Sequence, residues 1–164
     1  MRLLSGRKAP QTDELKLLLE VLRGSALFEA LTDDMIAELV PACRVKTFSQ
    51  EDISCHCPDA SHDAFILTEG VVAVTRKHPD DEHVLDLATQ GSVFNVGALM
   101  GAAHDYAHSR ALGQVQVVAL DGMMLQGLFH RDPYMGYVVT QTLGRLLSSQ
   151  MGKLLDHLLH PYSV

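Results

Sequence analysis

The sequence has no tryptophan, four tyrosines, five phenylalanines and only three cysteines in 164 residues. An odd number of cysteines, with Cys55 and Cys57 nearly adjacent, does not make a disulfide framework and predicts a reducing, cytoplasmic setting. No apolar run approaches the ~18 residues that a bilayer span requires. The opening stretch, MRLLSGRKAPQTDELK, carries charge where a secretory signal needs its apolar centre. Basic side chains are also scarce, 13 against 20 acidic ones, for a net charge of −7. Five of them (Arg2, Arg7, Lys8, Lys16, Arg23) lie in residues 1–24, which reads as a solvated basic arm. The rest of the chain is strongly acidic and would repel a phosphate backbone, so direct contact with nucleic acid is not expected. What is abundant is apolar material. A 47% hydrophobic, 20% charged composition excludes disorder. The length is that of one domain, which can bury a core without a disulfide or metal.

Hydrophobic periodicity divides the chain into three parts. Thr12 reads as a helix cap, with Asp13 and Glu14 in the first turn and Leu15, Leu18, Leu19 and Leu22 at helical spacing as far as Gly24. A second helix is expected from Thr32, with Ile36, Leu39 and Val40 as its apolar face and Pro41 at its end. The period then falls to two. Runs at Val45–Phe48, Ala64–Thr68, Val71–Thr75, Val84–Ala88, Val93–Val96 and Gln114–Leu120 predict short antiparallel strands of a sandwich or barrel. Gly70 supplies a tight hairpin turn, and His78–Glu82 reads as a solvated loop. Asp132-Pro133 then starts a long helix. Its apolar stripe includes Met135, Val139, Leu143, Leu146, Leu147, Met151 and Leu154, too long to be covered by so small a body, and a two-fold helical dimer is the expected outcome.

Several stretches in this order resemble a known family. Leu27-Phe28-Glu29-Ala30-Leu31-Thr32 looks like an opening "LF..L(S/T)", and Phe65-Ile66-Leu67-Thr68-Glu69-Gly70-Val71-Val72-Ala73-Val74 looks like a "(Y/F)I(L/V).(E/K)G.V.V" hairpin. Leu85–Phe94 and Ser109–Leu120 resemble the strands that enter and leave a ligand loop. The family is the cyclic nucleotide-binding domain of catabolite activator and FNR-type regulators, also found in protein kinase regulatory subunits. The resemblance implies a mainly β fold, an antiparallel jelly-roll with N-terminal helices and a long C-terminal dimerisation helix. The parts would be an arm and helix (1–24), the roll (25–131) and the dimer helix (132–160). Regulators of this kind usually continue into a basic helix-turn-helix segment, so a chain ending at Val164 is expected to be a sensor and dimeriser without one.

The resemblance also implies a phosphate-binding cassette between Gly91 and Ala111. Ligand-binding members read Gly-Glu-x-(Ala/Gly)-Leu and then Arg-(Ser/Thr)-Ala, in which the arginine holds the cyclic phosphate and the glutamate the ribose hydroxyl. Here Asn95, Val96, Gly97, Ala98 and Leu99 stand at the first motif and Asp105, Tyr106 and Ala107 at the second. Val96 cannot accept a ribose hydrogen bond, and Asp105 would repel a phosphate. Arg110 could reach the arginine's place only if the next strand slipped five residues and exchanged its faces. Ordinary cAMP binding is therefore expected to be lost. An intact binder with a divergent cassette is the alternative.

Nine histidines suggest other chemistry. Cys55, His56 and Cys57, with His104 and His108, are candidate metal ligands, and Asp59 or Asp63 could orient them. Cys-x-Cys is tighter than zinc-knuckle spacing and no second pair follows, so no metal site is expected. Haem held by His104 or His108 against Val96, Leu99 and Met100 would make a gas or redox sensor. An FNR-type cluster needs four cysteines. Ser61-His62-Asp63 is adjacency and not a triad. A cupin enzyme would need histidines converging inside the roll, where only His83 falls on an expected strand. The reading is a cytoplasmic, non-enzymatic, dimeric sensor module with an unidentified effector or protein partner, and neither nucleic acid nor membrane as a direct partner.

Overall fold

A computed structural model describes residues 10–50, 62–78, 81–101 and 108–159. Helix α1 (Thr12–Gly24) and helix α2 (Asp33–Leu39) precede strands β1 (Cys43–Phe48), β2 (Asp63–Glu69), β3 (Val72–His78), β4 (Asp81–Ala88) and β5 (Val93–Phe94). A 3-10 helix (Val96–Met100) leads to β6 (His108–Ala111), β7 (Val115–Asp121), helix α3 (Gly122–Arg131) and helix α4 (Pro133–Leu159). One sheet has the order β1-β7-β2-β5 and the other β4-β3-β6, with every pairing antiparallel. This is the expected jelly-roll with flanking helices.

Two cores share one wall. Period-two alternation sends Phe65 and Leu67 of β2, with Val115, Val117 and Ala119 of β7, between the sheets, where they meet Val72, Ala88, Phe94 and Ala111. The residues between them, Ala64, Ile66, Val118 and Leu120, point the other way. There they join Leu18 and Leu22 of α1, Ile36 and Leu39 of α2, Leu125 and Leu128 of α3, and Met135, Val139 and Leu143 of α4. Both strands are thus buried on both faces, which is why they read as near-continuous apolar runs.

Local chemistry explains most boundaries. The Thr32 hydroxyl accepts from the Met35 N–H and starts α2. Gly70 turns the β2–β3 hairpin at φ +88°, and a Cβ there would lie 2.5 Å from the Gln114 carbonyl oxygen. Glycine alone fits. Asp132 accepts from the Met135 N–H at 3.0 Å and Pro133 opens α4. Asp132→Ala should therefore cost about 1 kcal/mol of stability, read as a lower urea midpoint at an unchanged m-value.

Five expectations need correction. Helix α1 is capped by Gln11, one residue earlier than expected and without a side-chain bond, because Thr12 already has helical geometry. The pair His78↔Asp81 carries the β3–β4 ladder through the expected loop. Residues 122–131, assigned to the roll, form α3, capped by the Asp121 carboxylate on the Met124 N–H at 3.0 Å. His83 is not alone on a strand, since His78 ends β3 and His108 begins β6. Finally, Met135, Val139 and Leu143, expected on a dimer seam, are covered by this chain's own core, with Leu146 and Leu147 packed at its edge. The unbroken α4 continues the stripe past the body through Met151 (59% exposed), Leu155 (49%) and Leu159 (72%). Leu154 is half-buried.

Candidate functional site

The loop expected to hold a ligand begins where β5 pairs with β2, Phe65 opposite Phe94. The next residue, Asn95, is the only non-glycine at positive φ among the described residues (φ 55°, ψ 39°). Asparagine tolerates this left-handed conformation better than other side chains. Its amide nitrogen also donates to the Asp63 carbonyl at 2.6 Å, which fixes the turn to the start of β2.

From Asn95 the chain winds into the 3-10 helix. Ala98 and Leu99 are buried in the helix-side core, and Val96 packs against that core, so these side chains serve packing on the side away from the inter-sheet space. Gly97 is half-buried and Met100 is exposed. The Ala98 carbonyl accepts from the Gln126 side chain of α3 at 3.2 Å. Gly122, at the first turn of α3, passes against the same carbonyl and donates its N–H to the His62 carbonyl at 2.7 Å. The 3-10 helix, the start of β2 and the β7–α3 junction therefore meet at backbone contact.

Asp105, Tyr106 and Ala107 lie outside the described residues, as do His104, Cys55, His56 and Cys57. On β6, Ser109 and Ala111 are buried and Arg110 between them is exposed. The guanidinium therefore leaves from the outer face. His108 is half-buried and lies opposite Thr75 of β3. Cys43 is half-buried and donates to the Leu39 carbonyl, and burial pushes its thiol up to about 12, far from the thiolate that binds metals. Among the described residues no three His, Cys, Asp or Glu side chains are grouped to hold a metal ion.

Sequence reasoning passed over a charged cluster on the inner face. Arg44 and Lys46 both reach Oδ2 of the buried Asp63, Lys46 at 2.9 Å. The signal was present in Cys43-Arg44-Val45-Lys46, an alternation that puts both cations on one face of a strand beginning two residues before Val45. Gly122 and Gln126 were also missed, because nothing local marks a backbone crossing between distant segments.

A family model described as the cyclic nucleotide-binding domain matches residues 45–132, over half of the chain. Among solved structures, the N-terminal domain of a transcriptional regulator from Streptomyces coelicolor matches at TM-score 0.65 and 26% identity, over 79% of this chain and 93% of that one. The Thermus thermophilus catabolite activator protein matches at TM-score 0.65 and 20% identity, over 82% of this chain and 62% of that one. The sensor domain of the transcriptional regulator DNR from Pseudomonas aeruginosa matches at TM-score 0.63 and 15% identity, over 84% and 93%. No curated protein matches the chain.

Proposed function

The chain belongs to the cyclic nucleotide-binding domain family, and from that premise we propose that it is a non-enzymatic, dimeric regulatory module whose cassette no longer takes cAMP in the family's usual way. The observation that carries this reading is the placement of Val96. It stands where the family's pattern has its ribose-binding glutamate, and its side chain is apolar and packed on the helix-side core. The left-handed Asn95 supports the alignment, because the pattern has glycine there and asparagine is the usual substitute. Asp105 at the arginine position adds like-charge repulsion toward any phosphate. No element of the described chain is a helix long and apolar enough to cross a membrane. An acidic, cytoplasmic module that works through a small effector or a protein partner, without touching nucleic acid itself, fits the net charge of −7.

The parts have separate duties in this reading: an arm and helix (1–24), a roll that receives the effector, with α3 (Gly122–Arg131) packed beside it, and the part of α4 beyond the body, which pairs two copies. The contact of Gly122 and Gln126 with Ala98 supplies the connection between them. An effector that favours one placement of the 3-10 helix would shift α3, and α4 behind it. Such a shift requires different affinities for the two placements.

Thermal melting with millimolar cAMP and cGMP tests the cassette. A ligand at 100 times its dissociation constant adds about 2.7 kcal/mol, which moves the midpoint of a domain this size by several degrees. No such shift is expected from either nucleotide, and a clear one would overturn this reading.

A further inference from the structure

We propose that the outer face of the β4-β3-β6 sheet docks a short amphipathic helix of a partner protein, apolar on one side and bearing a carboxylate that meets Arg110. The proposal rests on the regulatory reading and gives that reading's protein partner a place on the molecule. The chain treats its two sheets differently. The outer face of β1-β7-β2-β5 lies under the helices, whereas among the described residues no outward side chain of β4-β3-β6 belongs to either core. An antiparallel sheet with one face in water normally presents polar side chains there. This one presents apolar ones.

Register fixes which side chains these are. Val72, Ala88 and Ala111 point into the roll. Ala73, which alternates with Val72, therefore points out, as do Leu87 of β4 and Arg110 of β6 directly opposite it. In the next outward row Thr75 stands between Val84 and His108. Val84 and Leu87 are 55% and 53% exposed, while Ala73 and Thr75 are buried between their taller neighbours. At the other end Leu112 donates its N–H to the Val71 carbonyl at 3.0 Å, and both side chains are exposed. The face is thus a shallow trough with a floor of small side chains. Val84 and Leu87 form one rim, and Arg110 and Leu112 stand on the other.

Dimensions and charge then specify the occupant. Two strand spacings of ~4.8 Å make the trough ~10 Å wide, the diameter of one α-helix. From Val71 to Thr75 it runs ~13 Å, about two and a half helical turns. An added strand fits less well, because the bulge where Val74 and Thr75 pair with Asp86 and Val84 interrupts the edge of β4. Arg110 is exposed, and among the described residues its guanidinium has neither an ion pair nor a hydrogen bond. Asp86 does not balance it, since it stands opposite Val74 and so on the other face of the sheet. In the row beyond Thr75, Lys77 stands opposite Glu82, one cation for one acid. The trough is therefore positive at Arg110, on a chain whose net charge is −7. A carboxylate laid there among Leu87 and Leu112 would form a charge-assisted bond partly shielded from water. Arginine set among apolar side chains is a common anchor of protein interfaces.

Two stapled helices of about twelve residues serve as probes, one of leucine and glutamate and one with lysine in place of each glutamate. Each is titrated into the full chain, with affinity read by fluorescence anisotropy and position by amide NMR shifts. The acidic helix should bind saturably and shift the amides of β3, β4 and β6, with the lysine helix about tenfold weaker. Arg110→Glu, at an exposed position outside both cores, should reverse that preference, which a merely structural role would not do. Leu87→Ser should weaken the acidic helix about tenfold and leave the preference as it was. Val84→Ser replaces it if circular dichroism shows that the first variant fails to fold. No saturable binding, equal binding of the two helices, an unchanged preference in Arg110→Glu, or shifts confined to α4 would overturn the proposal. Concentration-dependent shifts of β4 in the chain alone, removed by Leu87→Ser, would assign the face to a second copy and overturn it as well. A response to cAMP in the melts defeats the cassette reading and leaves this face standing. A chain silent to both the nucleotides and the helices loses this face alone.

Discussion

Replacing Gly122 by alanine should cost the chain several kcal/mol. A Cβ at this position would lie 2.7 Å from the His62 carbonyl oxygen and closer still to that of Ala98. Both obstacles are backbone, so neither can swing aside. Moving Gly122 back would stretch its 2.7 Å N–H bond to the His62 carbonyl in a buried place. Overpacking costs ~1–3 kcal/mol and a buried bond left unmade a further ~1–3. That sum is a large share of the ~5–15 kcal/mol that holds a domain of this kind together. Gly127 is the control, since it lies in the same helix, is exposed, and a Cβ there meets nothing within 4 Å. Gly127→Ala should stabilise by ~0.5–1 kcal/mol. Urea melts of the two variants should move in opposite directions. Equal and small shifts would show that the crossing is looser than its geometry states.

If two copies pair as proposed, at twice the 18.0 kDa chain mass, Leu155→Asp should give a monomer, as read by sedimentation equilibrium or light scattering. Leu143, Leu147, Met151, Leu155 and Leu159 follow one another at four-residue spacing in a row that winds slowly around the helix, and the body covers only its beginning. From Leu147 to Leu159 the helix runs ~18 Å with large apolar side chains exposed. Covering one such side chain yields ~1.5–3 kcal/mol, and a two-fold seam counts each residue twice. An aspartate in the seam forfeits that gain and adds two charges that require water. The dissociation constant should rise by about a thousandfold, equivalent to ~4 kcal/mol. Met135→Ala is the counterpart. It should lower the melting midpoint through a cavity in the chain's own core, a loss of ~2–5 kcal/mol. A wild-type chain that sediments as a monomer would end the seam hypothesis.

Particular residues show what was legible before any coordinates. Thr32 and Asp132-Pro133 announce helix starts through local chemistry that works the same way in any fold. The stripe of α4 is equally plain. Its division between own core and free surface is not, because that depends on where the body ends. Helix α3 was hidden because Gly122 and Gly127 are poor helix formers, and only its packing through Leu125 and Leu128 overrides them. The Arg44–Lys46–Asp63 cluster joins residues 17 and 19 positions apart in the chain across an intervening strand. Pairing order supplies that juxtaposition, and no window along the sequence displays it. At the cassette, the chemistry of Asn95 and Val96 could be read in advance, but the commitment of Val96 to the helix-side core could not.

The shared wall sets a rule for how this gene can change. In β2, even-numbered Ala64 and Ile66 belong to one core and odd-numbered Phe65 and Leu67 to the other. One inserted or deleted codon within the strand would exchange the two inventories. Phenylalanine would be delivered to the space shaped for alanine, and alanine to the floor of the roll. β7 holds the register on one side of the strand and β5 on the other. Substitution is therefore open to this wall, while length variation must be confined to the connections around it.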